Sequence, residues 1–343
     1  MTEPATLRDI AHAAGVSLEI VSRVLNGKYK GNTKRGGERV EQVKAIAERL
    51  GYRPDAGAVA MRTRRTRQVG IVVHRDSLLC HPVLLEFLVG INETLETAGY
   101  LTTLCRLLDP GHSQAFNAQA LDTRSLDGVV VVDGLDLPVL ERIAKAVPAM
   151  VLVNSPGWAG TPAVMRDEPG AGALAGAQLA DLGYRRGVYV RKDWSHHVSY
   201  DQRWAGFSAA FAGPGRSVEE LRLDLPVTDA GCAALRALVG SHTVLAVADA
   251  MTVYGVIDAC ARIGVRPGID FGLACLDAQN GMEYSNPGLA RVTHDRVGIG
   301  ATAAALVLDR IAGRPAVPGT RRVSGSWHPG LTAPGPQEAL PSR

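Results

Sequence analysis

Residues 7–26 (LRDIAHAAGVSLEIVSRVLN) constrain the fold more than any other stretch of this sequence. Two short amphipathic segments flank a turn at Gly15, Val16 and Ser17, and apolar residues recur at helical spacing on both sides. Gly15 suits a helix end because glycine adopts positive φ freely, and Ser17 is a favourable N-cap. The pattern predicts a helix-turn-helix, with an ordinary helical hairpin as the alternative. Its second helix would turn four side chains toward DNA: Leu18, Glu19, Ser22 and Arg23.

Positive charge is concentrated at the start of the chain. Residues 1–67 carry 14 of the 37 Lys and Arg residues and 7 of the 34 Asp and Glu residues, a balance of +7, while the rest has a balance of −4. A solvated basic surface would produce the same balance. Beside a predicted helix-turn-helix, the excess favours neutralisation of DNA phosphates.

The composition excludes several classes of protein. A chain of 343 residues is long enough for two or three domains. Its five cysteines are scattered and form no CxxC pair, which argues against a disulfide framework or a zinc ribbon and for a reducing, cytoplasmic environment. The polar N-terminus does not resemble a secretory signal, and no apolar run reaches membrane-spanning length. We therefore expect no membrane association, no bound metal and no cofactor.

Two further segments complete the predicted N-terminal region. Residues 38–50 have an apolar face at helical spacing and predict a third helix. Residues 55–61 (DAGAVAM) are too short and too rich in small residues for a stable isolated helix, and the basic residues 62–67 follow them. This region is expected to fold only on a partner, with a plain flexible linker as the alternative.

From residue 68 the pattern changes to buried strands that alternate with helices of 10–15 residues. Such alternation predicts βαβ units and a parallel sheet. The pattern repeats to about residue 311, which is enough for two parallel-sheet subdomains that face each other across a cleft. The tail, from about residue 334, is rich in Pro and Gly and is expected to fray.

These stretches resemble the lactose-repressor (LacI/GalR) family of bacterial transcription regulators over nearly the whole chain. The most specific part is TLRDIAHAAGVSLEIVSRVLNG at residues 6–27, followed by ERVEQVKAIAERLGYRPDA at 38–56. Blocks of the core then follow in the family's order: RDEPGAGALAGAQLADLGYRR (166–186), RWAGFSAAF (203–211), ADAMTVYGVIDACARIGVRPGIDFGLACLDA (248–278) and VGIGATAAALVLDRIAGRP (297–315).

The resemblance implies an α/β core of two parallel-sheet subdomains, like that of periplasmic binding proteins, preceded by an all-α helix-turn-helix headpiece. It divides the chain into a headpiece (1–54), a hinge helix with a basic linker (55–67), an effector-binding and dimerisation core (68–335) and a frayed tail (336–343). The core would cross between subdomains near residues 167, 294 and 322. It further implies a homodimeric repressor of near-palindromic operator DNA, controlled by a sugar or related metabolite bound between the subdomains.

Carried over residue by residue, the resemblance assigns DNA contacts to Thr6, Ser17, Leu18, Glu19, Ser22, Arg23, Asn26, Tyr29, Lys30, Asp55, Ala58, Met61 and Arg62. Arg23 would bind a guanine edge, and Met61 would insert between base steps in the minor groove. Three residues depart from the family's pattern at these surfaces: Ile20 stands at a position that usually carries a hydroxyl, Val59 at one that is usually polar or basic, and Gly57 lowers helix propensity.

The residues assigned to the effector are Asp76, His81, Asp167, His197, Ser199, Arg203, Asp249 and Asp277. Arginine and aspartate together suit bidentate bonding to sugar hydroxyls or a base edge. Asp249 follows Ala248, where the family often has an asparagine, and Ala278 replaces a common second aspartate. These departures leave open an alternative function, a DNA-binding regulator without an effector whose core serves dimerisation or protein binding.

Two other features of the sequence mimic known sites. Residues 170–176 (GAGALAG) have the spacing GxGxxxG rather than the dinucleotide-binding GxGxxG, so small residues for close helix–sheet packing are the preferred interpretation. His196 and His197 have no Cys or carboxylate set at ligand spacing nearby. Because the sequence offers no nucleophile–base pair either, the chain is predicted not to be an enzyme.

Overall fold

The computed structural model describes residues 5–29, 32–74, 82–107, 125–193, 197–286, 288–315 and 319–336. The chain divides into two units, Met1–Thr66 and Arg67–Arg343. Two of the residues assigned to the effector, Asp76 and His81, lie outside the described residues, as do Lys30 and residues 337–343 of the tail.

The first unit begins with three helices, α1 (Leu7–Ala14), α2 (Leu18–Leu25) and α3 (Lys34–Arg49). The first two lie on either side of the predicted turn, within residues 7–26, and Gly15 between them has φ 62°. The third begins at Lys34 rather than near residue 38, because Thr33 caps it by accepting a hydrogen bond of 3.1 Å from the Gly36 amide. The three helices share a small core of Ile10, Ala14, Val21, Val24, Val43, Ile46 and Ala47.

The stretch that was expected to fold only on a partner is helical in this structure, as α4 (Ala56–Thr63). Asp55 accepts hydrogen bonds from the amides of Gly57 (2.7 Å) and Ala58 (3.1 Å) at its start. At its end, Thr63 Oγ1 donates to the Val59 carbonyl at 2.8 Å. These bonds satisfy backbone groups that would otherwise be unpaired at both ends of so short a helix.

The second unit contains two six-stranded sheets. The first sheet, with the order β11-β5-β4-β3-β1-β2, is parallel throughout. Its strands are β1 (Gln68–His74), β2 (Leu101–Leu107), β3 (Gly128–Val132), β4 (Met150–Val153), β5 (Ala163–Arg166) and β11 (Thr320–Val323). The helices of this first subdomain are α5 (Pro82–Thr97), α6 (Leu137–Ala146) and α12 (Arg296–Ile311).

The second sheet has the order β12-β10-β9-β8-β6-β7, in which β12 alone runs antiparallel to its neighbour. Its strands are β6 (Arg186–Lys192), β7 (Ser217–Leu223), β8 (Thr243–Val247), β9 (Gly272–Ala278), β10 (Ala290–Thr293) and β12 (Ser326–His328). The helices of this second subdomain are α7 (Glu168–Asp181), α8 (Val198–Phe211), α9 (Asp229–Leu238), α10 (Ala250–Ile263) and α11 (Met282–Ser285). Two parallel-dominated sheets thus follow an all-helical headpiece, as predicted.

The chain passes between the two sheets three times. It leaves the first sheet after Arg166, returns to it after Thr293 and leaves it again after Val323. Each crossing is only a few residues long. The carboxyl ends of the parallel strands lie next to these crossings, and in open α/β sheets ligands bind at such ends.

In each subdomain two helices cross at glycines. A Cβ atom at Gly172 of α7 would overlap the backbone carbonyl of Arg203 in α8, and one at Gly90 of α5 would overlap that of Val297 in α12. The glycines of residues 170–176 therefore include sites of helix-on-helix packing, where the sequence suggested helix–sheet packing. No described helix is long and apolar enough to cross a membrane.

Candidate DNA-reading surface and effector cleft

The outer face of α2 is open to solvent. Its inner residues Val21 and Val24 are buried in the headpiece core, whereas Leu18 is 45% exposed. Glu19 and Arg23 are also exposed. The amphipathic pattern therefore places the predicted base-reading residues on a free surface, as a recognition helix requires.

Arg23 is held only weakly. Its Nη1 lies 3.9 Å from Glu19 Oε1, and its guanidinium carbon lies 6.0 Å from the centre of the Tyr29 ring. Because an exposed ion pair of this kind contributes little to stability, Arg23 can exchange it for a base edge at small cost.

Several of the predicted contact residues cap helices in this structure. Thr6 forms a capping box with Asp9, in which its Oγ1 accepts from the Asp9 amide at 3.4 Å. Ser17 Oγ accepts from the Ile20 amide at 3.3 Å. The side chain of Ile20 packs against the headpiece core, so it replaces a hydroxyl group with apolar packing.

Asn26 links α2 to the hinge helix α4. Its Nδ2 donates to the Ser22 carbonyl at 2.6 Å, and its Oδ1 accepts from Arg62 Nη2 at 2.6 Å. On the same helix, Ala58 is exposed and Met61 is 86% exposed. A large apolar side chain so exposed is available for insertion into a groove.

In the second unit, polar and charged side chains lie together where the strands end. Asn154 follows β4, Arg166 ends β5, and Asp277 lies near the end of β9. All three are 5% exposed or less. Burial of charged groups is tolerated only when they are paired, so the partners of these side chains define the site.

Asp277 is the centre of what we call the Asp277 network. Its members are Asp277, Arg166, Arg203, Arg296, Glu168 and Glu86. Asp277 Oδ2 accepts from Arg166 Nη1 and lies 2.8 Å from Arg203 Nη1, and its Oδ1 accepts from Arg296 Nη2. One carboxylate thus pairs with three buried guanidiniums.

Arg203, predicted from the sequence to bind the effector, is 1% exposed and internally paired. Its Nη1 donates to Glu168 Oε2 at 3.1 Å, and its Nη2 donates to Ser199 Oγ at 3.2 Å. The guanidinium also lies over the Tyr200 ring, at 5.1 Å from its centre. This buried site is therefore assembled from the chain's own charges.

These pairings shift the ionisation of the site. Burial alone would raise the pKa of Asp277, but the guanidiniums of Arg166, Arg296 and Arg203 outweigh it and hold the pKa well below its usual value. Burial alone would lower the pKa of Arg203, but Glu168 and Asp277 raise it well above the ordinary value. Both groups are therefore charged throughout the physiological range.

His197 and Ser199 are linked to the Asp277 network through Arg203, which donates to Ser199 Oγ. His197 is half-buried and is the N-cap of α8, where its Nδ1 lies 2.8 Å from Ser199 Oγ and accepts from the Ser199 amide at 3.2 Å. Burial lowers the pKa of His197, although the nearby Asp133 carboxylate opposes the change. The imidazole is therefore neutral at pH 7 and can both donate and accept hydrogen bonds.

The structure gives local roles to the two remaining predicted aspartates. Asp167 is the N-cap of α7 and accepts from the Gly170 amide at 3.3 Å. Asp249 is the N-cap of α10 and accepts from the Tyr200 hydroxyl at 2.6 Å and the Thr252 hydroxyl at 2.9 Å. Both residues are half-buried, so neither carboxylate is fully removed from solvent.

Sequence reasoning missed four members of the Asp277 network: Arg166, Glu168, Arg296 and Glu86. Arg166 and Glu168 flank Asp167, and Arg296 follows Asp295 directly. A charged side chain at the end of a buried strand, beside a predicted crossing, is the signal that could have identified Arg166. In the described part of the chain, no group of three or more His, Cys, Asp or Glu side chains is arranged to hold a metal ion.

Two family models match the chain. Residues 6–55 match the model for bacterial regulatory proteins of the lacI family, and residues 177–332 match a periplasmic binding protein-like domain. The HTH-type transcriptional regulator reg1 of Streptomyces lividans is 28% identical over 328 residues, which cover 90% of this chain and 91% of that protein.

Solved structures agree with this match. A lac repressor dimer bound to operator and the anti-inducer ONPF has a TM-score of 0.78 at 19% identity, covering 96% of this chain and 99% of that chain. A complex of the transcriptional regulator CelR with cellobiose has a TM-score of 0.63 at 22% identity, with coverages of 96% and 99%. With a matching headpiece, a matching core and the same order of domains, the chain consists of a LacI-type helix-turn-helix domain followed by a periplasmic binding protein-like domain, and its relatives are helix-turn-helix transcription regulators.

Proposed function

We propose that this protein is a transcriptional repressor that binds a near-palindromic operator as a homodimer and is controlled by a small molecule between its core subdomains. The observation that carries the proposal is the presence, in one chain, of an exposed recognition helix and of a polar cleft floor at the strand ends of two sheets. Because such a regulator acts on chromosomal DNA, the proposal also places it in the cytoplasm.

For DNA reading, α2 enters the major groove, and Arg23 is the residue best suited to a guanine. Leu18 offers an apolar contact for a thymine methyl, and Glu19 can accept from a cytosine amino group. Met61 of the hinge helix inserts into the minor groove. The basic balance of +7 over residues 1–67 supports phosphate contacts along both grooves.

For effector binding, the half-buried polar groups above the Asp277 network are the accessible ones. His197, Asp167 and Asp249 supply hydrogen-bond donors and acceptors, and the network beneath them has three positive and three negative members. A hydroxyl-rich ligand such as a sugar fits these groups, because its hydroxyls can donate to the Asp167 and Asp249 carboxylates and also bond with His197. The CelR structure of similar fold was solved with cellobiose, which supports the same class.

For dimerisation, the first subdomain offers apolar side chains on its surface. Leu85 and Val89 of α5 are 47% and 46% exposed, and Leu101 and Leu104 of the edge strand β2 are 70% and 47% exposed. Exposed apolar side chains clustered on one helix and one edge strand are typical of a subunit interface. The lac repressor neighbour is a dimer in its own structure.

Two measurements test the proposal. Binding-site selection from a random duplex library should enrich a near-palindromic sequence, and failure to enrich any sequence would refute specific DNA binding. A thermal-shift screen of sugars and related metabolites should then find a ligand that raises the melting temperature, because a ligand of the native state stabilises it by RT ln(1 + [L]/Kd).

The alternative function remains a DNA-binding regulator without a small-molecule effector. The departures at Ala248 and Ala278 motivate it, as does a cleft floor whose charged groups already pair with each other. Under that alternative the selection experiment enriches an operator, but no compound in the screen changes either the melting temperature or operator binding.

A further inference from the structure

Two of the three crossings between the sheets have the same local construction. Asp167 and Asp295 follow the first and the second sheet and are the N-caps of α7 and α12. Each accepts a hydrogen bond from a glycine amide three residues later, at 3.3 Å from Gly170 and 2.8 Å from Gly298. Both crossings therefore end at a fixed helix start.

The residues on either side of these two caps converge on Asp277. Arg166 and Glu168 flank the first cap, and His294 and Arg296 flank the second. All four are 4% exposed or less. Arg166 and Arg296 pair directly with the Asp277 carboxylate, and His294 Nδ1 lies 3.6 Å from it. Two crossings that run in opposite directions are thus connected by one carboxylate.

Arg166 holds groups from both subdomains at once. Its Nε and Nη2 donate to Asn154 Oδ1 of the first subdomain at 3.4 and 3.2 Å. Its Nη1 donates to Asp277, and its Nη2 lies 2.8 Å from Glu168 Oε1, both in the second subdomain. A planar guanidinium can bridge these three partners, whereas a lysine ammonium presents its donors from a single point.

The network also crosses the subdomain boundary at Arg296 and Glu86. Arg296 Nη1, on a helix of the first subdomain, donates to the Ala278 carbonyl at 2.9 Å. Glu86 Oε1, also from the first subdomain, accepts from the Asn280 amide at 2.9 Å. The three arginines and three carboxylates balance, so the arrangement needs no external ion to be stable in a buried site.

We propose that Arg166 is a positioning residue for the regulatory response, which fixes the first crossing and, through Asp277, the second. The chain's own charges then set the angle between the subdomains when no small molecule is bound. This inference rests on the regulatory role proposed above and adds the element on which a ligand would act. Arg203 supplies the connection to the cleft, because it bonds Ser199, whose Oγ lies 2.8 Å from His197 Nδ1.

Hydrogen exchange of the full-length, ligand-free protein tests the inference. Arg166→Lys keeps the positive charge but removes the planar guanidinium. The double variant Arg166→Met/Glu168→Gln removes one positive and one negative charge together. Arg186→Met is the control, because it breaks a partly exposed ion pair with Glu219 (2.6 Å) between β6 and β7. Strand β8 serves as the internal reference for global unfolding.

Both Arg166 variants should exchange about tenfold faster at residues 290–299 as well as at 163–172, with β8 unchanged. The acceleration at 290–299 is decisive, because those residues belong to the second crossing, which the proposal connects to Arg166 through Asp277. Acceleration at 163–172 alone would overturn the proposal. An equal acceleration of β8 in both variants would assign Arg166 to stability only and would overturn it as well.

Binding to the duplex selected by the wild type separates this inference from the proposed function. If the wild type selects no duplex, the proposed function fails, while the exchange result still decides the connection between the crossings. If the wild type binds, both Arg166 variants should change its affinity at least fivefold and Arg186→Met less than twofold. Unchanged affinity of both variants would overturn the regulatory part of the inference.

Discussion

Arg62 Nη2 donates a hydrogen bond of 2.6 Å to Asn26 Oδ1, which joins two residues 36 positions apart in sequence. Asn26 is the C-cap of the recognition helix, and Arg62 lies in the last turn of the hinge helix. The two elements that we propose read the major and the minor groove are therefore connected directly by a hydrogen bond. No described residue of α4 belongs to the apolar core cluster of the headpiece, so this bond and the helix caps contribute to its stability.

Arg62→Met should loosen the hinge helix. The net contribution of one hydrogen bond to stability is roughly 1 kcal/mol. The rate of amide exchange over residues 57–63 should therefore rise about fivefold in the DNA-free protein. Arg64→Met is the matched control, since it removes the same charge one residue beyond the helix. Equal exchange in the two variants would show that the Arg62–Asn26 bond does not order the hinge.

Arg23→Ala should relax operator specificity at one base pair of each half-site. Loss of a guanine contact costs about 1–3 kcal/mol against the preferred base. Selection from a random library should recover a site that is degenerate at that position. Arg8→Ala, an exposed arginine of α1, is expected to weaken binding uniformly without changing the selected sequence. An unchanged site for Arg23→Ala would remove it from the base-reading residues.

Asp277→Asn should destabilise the core strongly, because it leaves three buried guanidiniums with two carboxylates. Removing one partner of a buried ion pair typically costs about 3–5 kcal/mol. Urea denaturation should show this loss, whereas Glu219→Gln, which breaks the partly exposed pair with Arg186, should cost less than about 1 kcal/mol. Similar losses in the two variants would mean that the Asp277 network is dispensable for stability.

The stability of the core should fall in mild acid because of His197. In the unfolded chain this imidazole protonates near its ordinary pKa of 6.5, and burial lowers the pKa in the folded chain. The contribution of the neutral imidazole is therefore fully present above pH 6.5 and is lost as the pH falls through the lower folded-state pKa. His197→Asn keeps a helix-capping side chain but does not titrate, so its stability should decline less between pH 6.5 and 5. Parallel curves for the two proteins would contradict this assignment.

The headpiece was predictable because its determinants are local. The apolar spacing, Gly15 and Ser17 specify two helices and their turn within twenty residues. Strand β7 was not predicted, since SVEELRL lies at a sheet edge, where half-exposed positions remove the apolar run that marks a central strand.

The candidate site was predictable only in part. Arg203 and Asp277 were assigned by resemblance and do lie together, 2.8 Å apart between Nη1 and Oδ2. Glu86, Arg166 and Arg296 were missed because no local pattern connects residues separated by up to 210 positions. Their meeting depends on the three crossings, which is a property of the topology and not of any short stretch.

The glycine crossings of α7 with α8 and of α5 with α12 have a mechanical consequence. Helices whose backbones touch cannot slide or tilt without collision, so each subdomain deforms little internally and behaves as a stiff block. Any strain produced by a ligand in the cleft must then be taken up by the few residues of the three connecting segments. A stiff body on short connections transmits a small rotation over its full length.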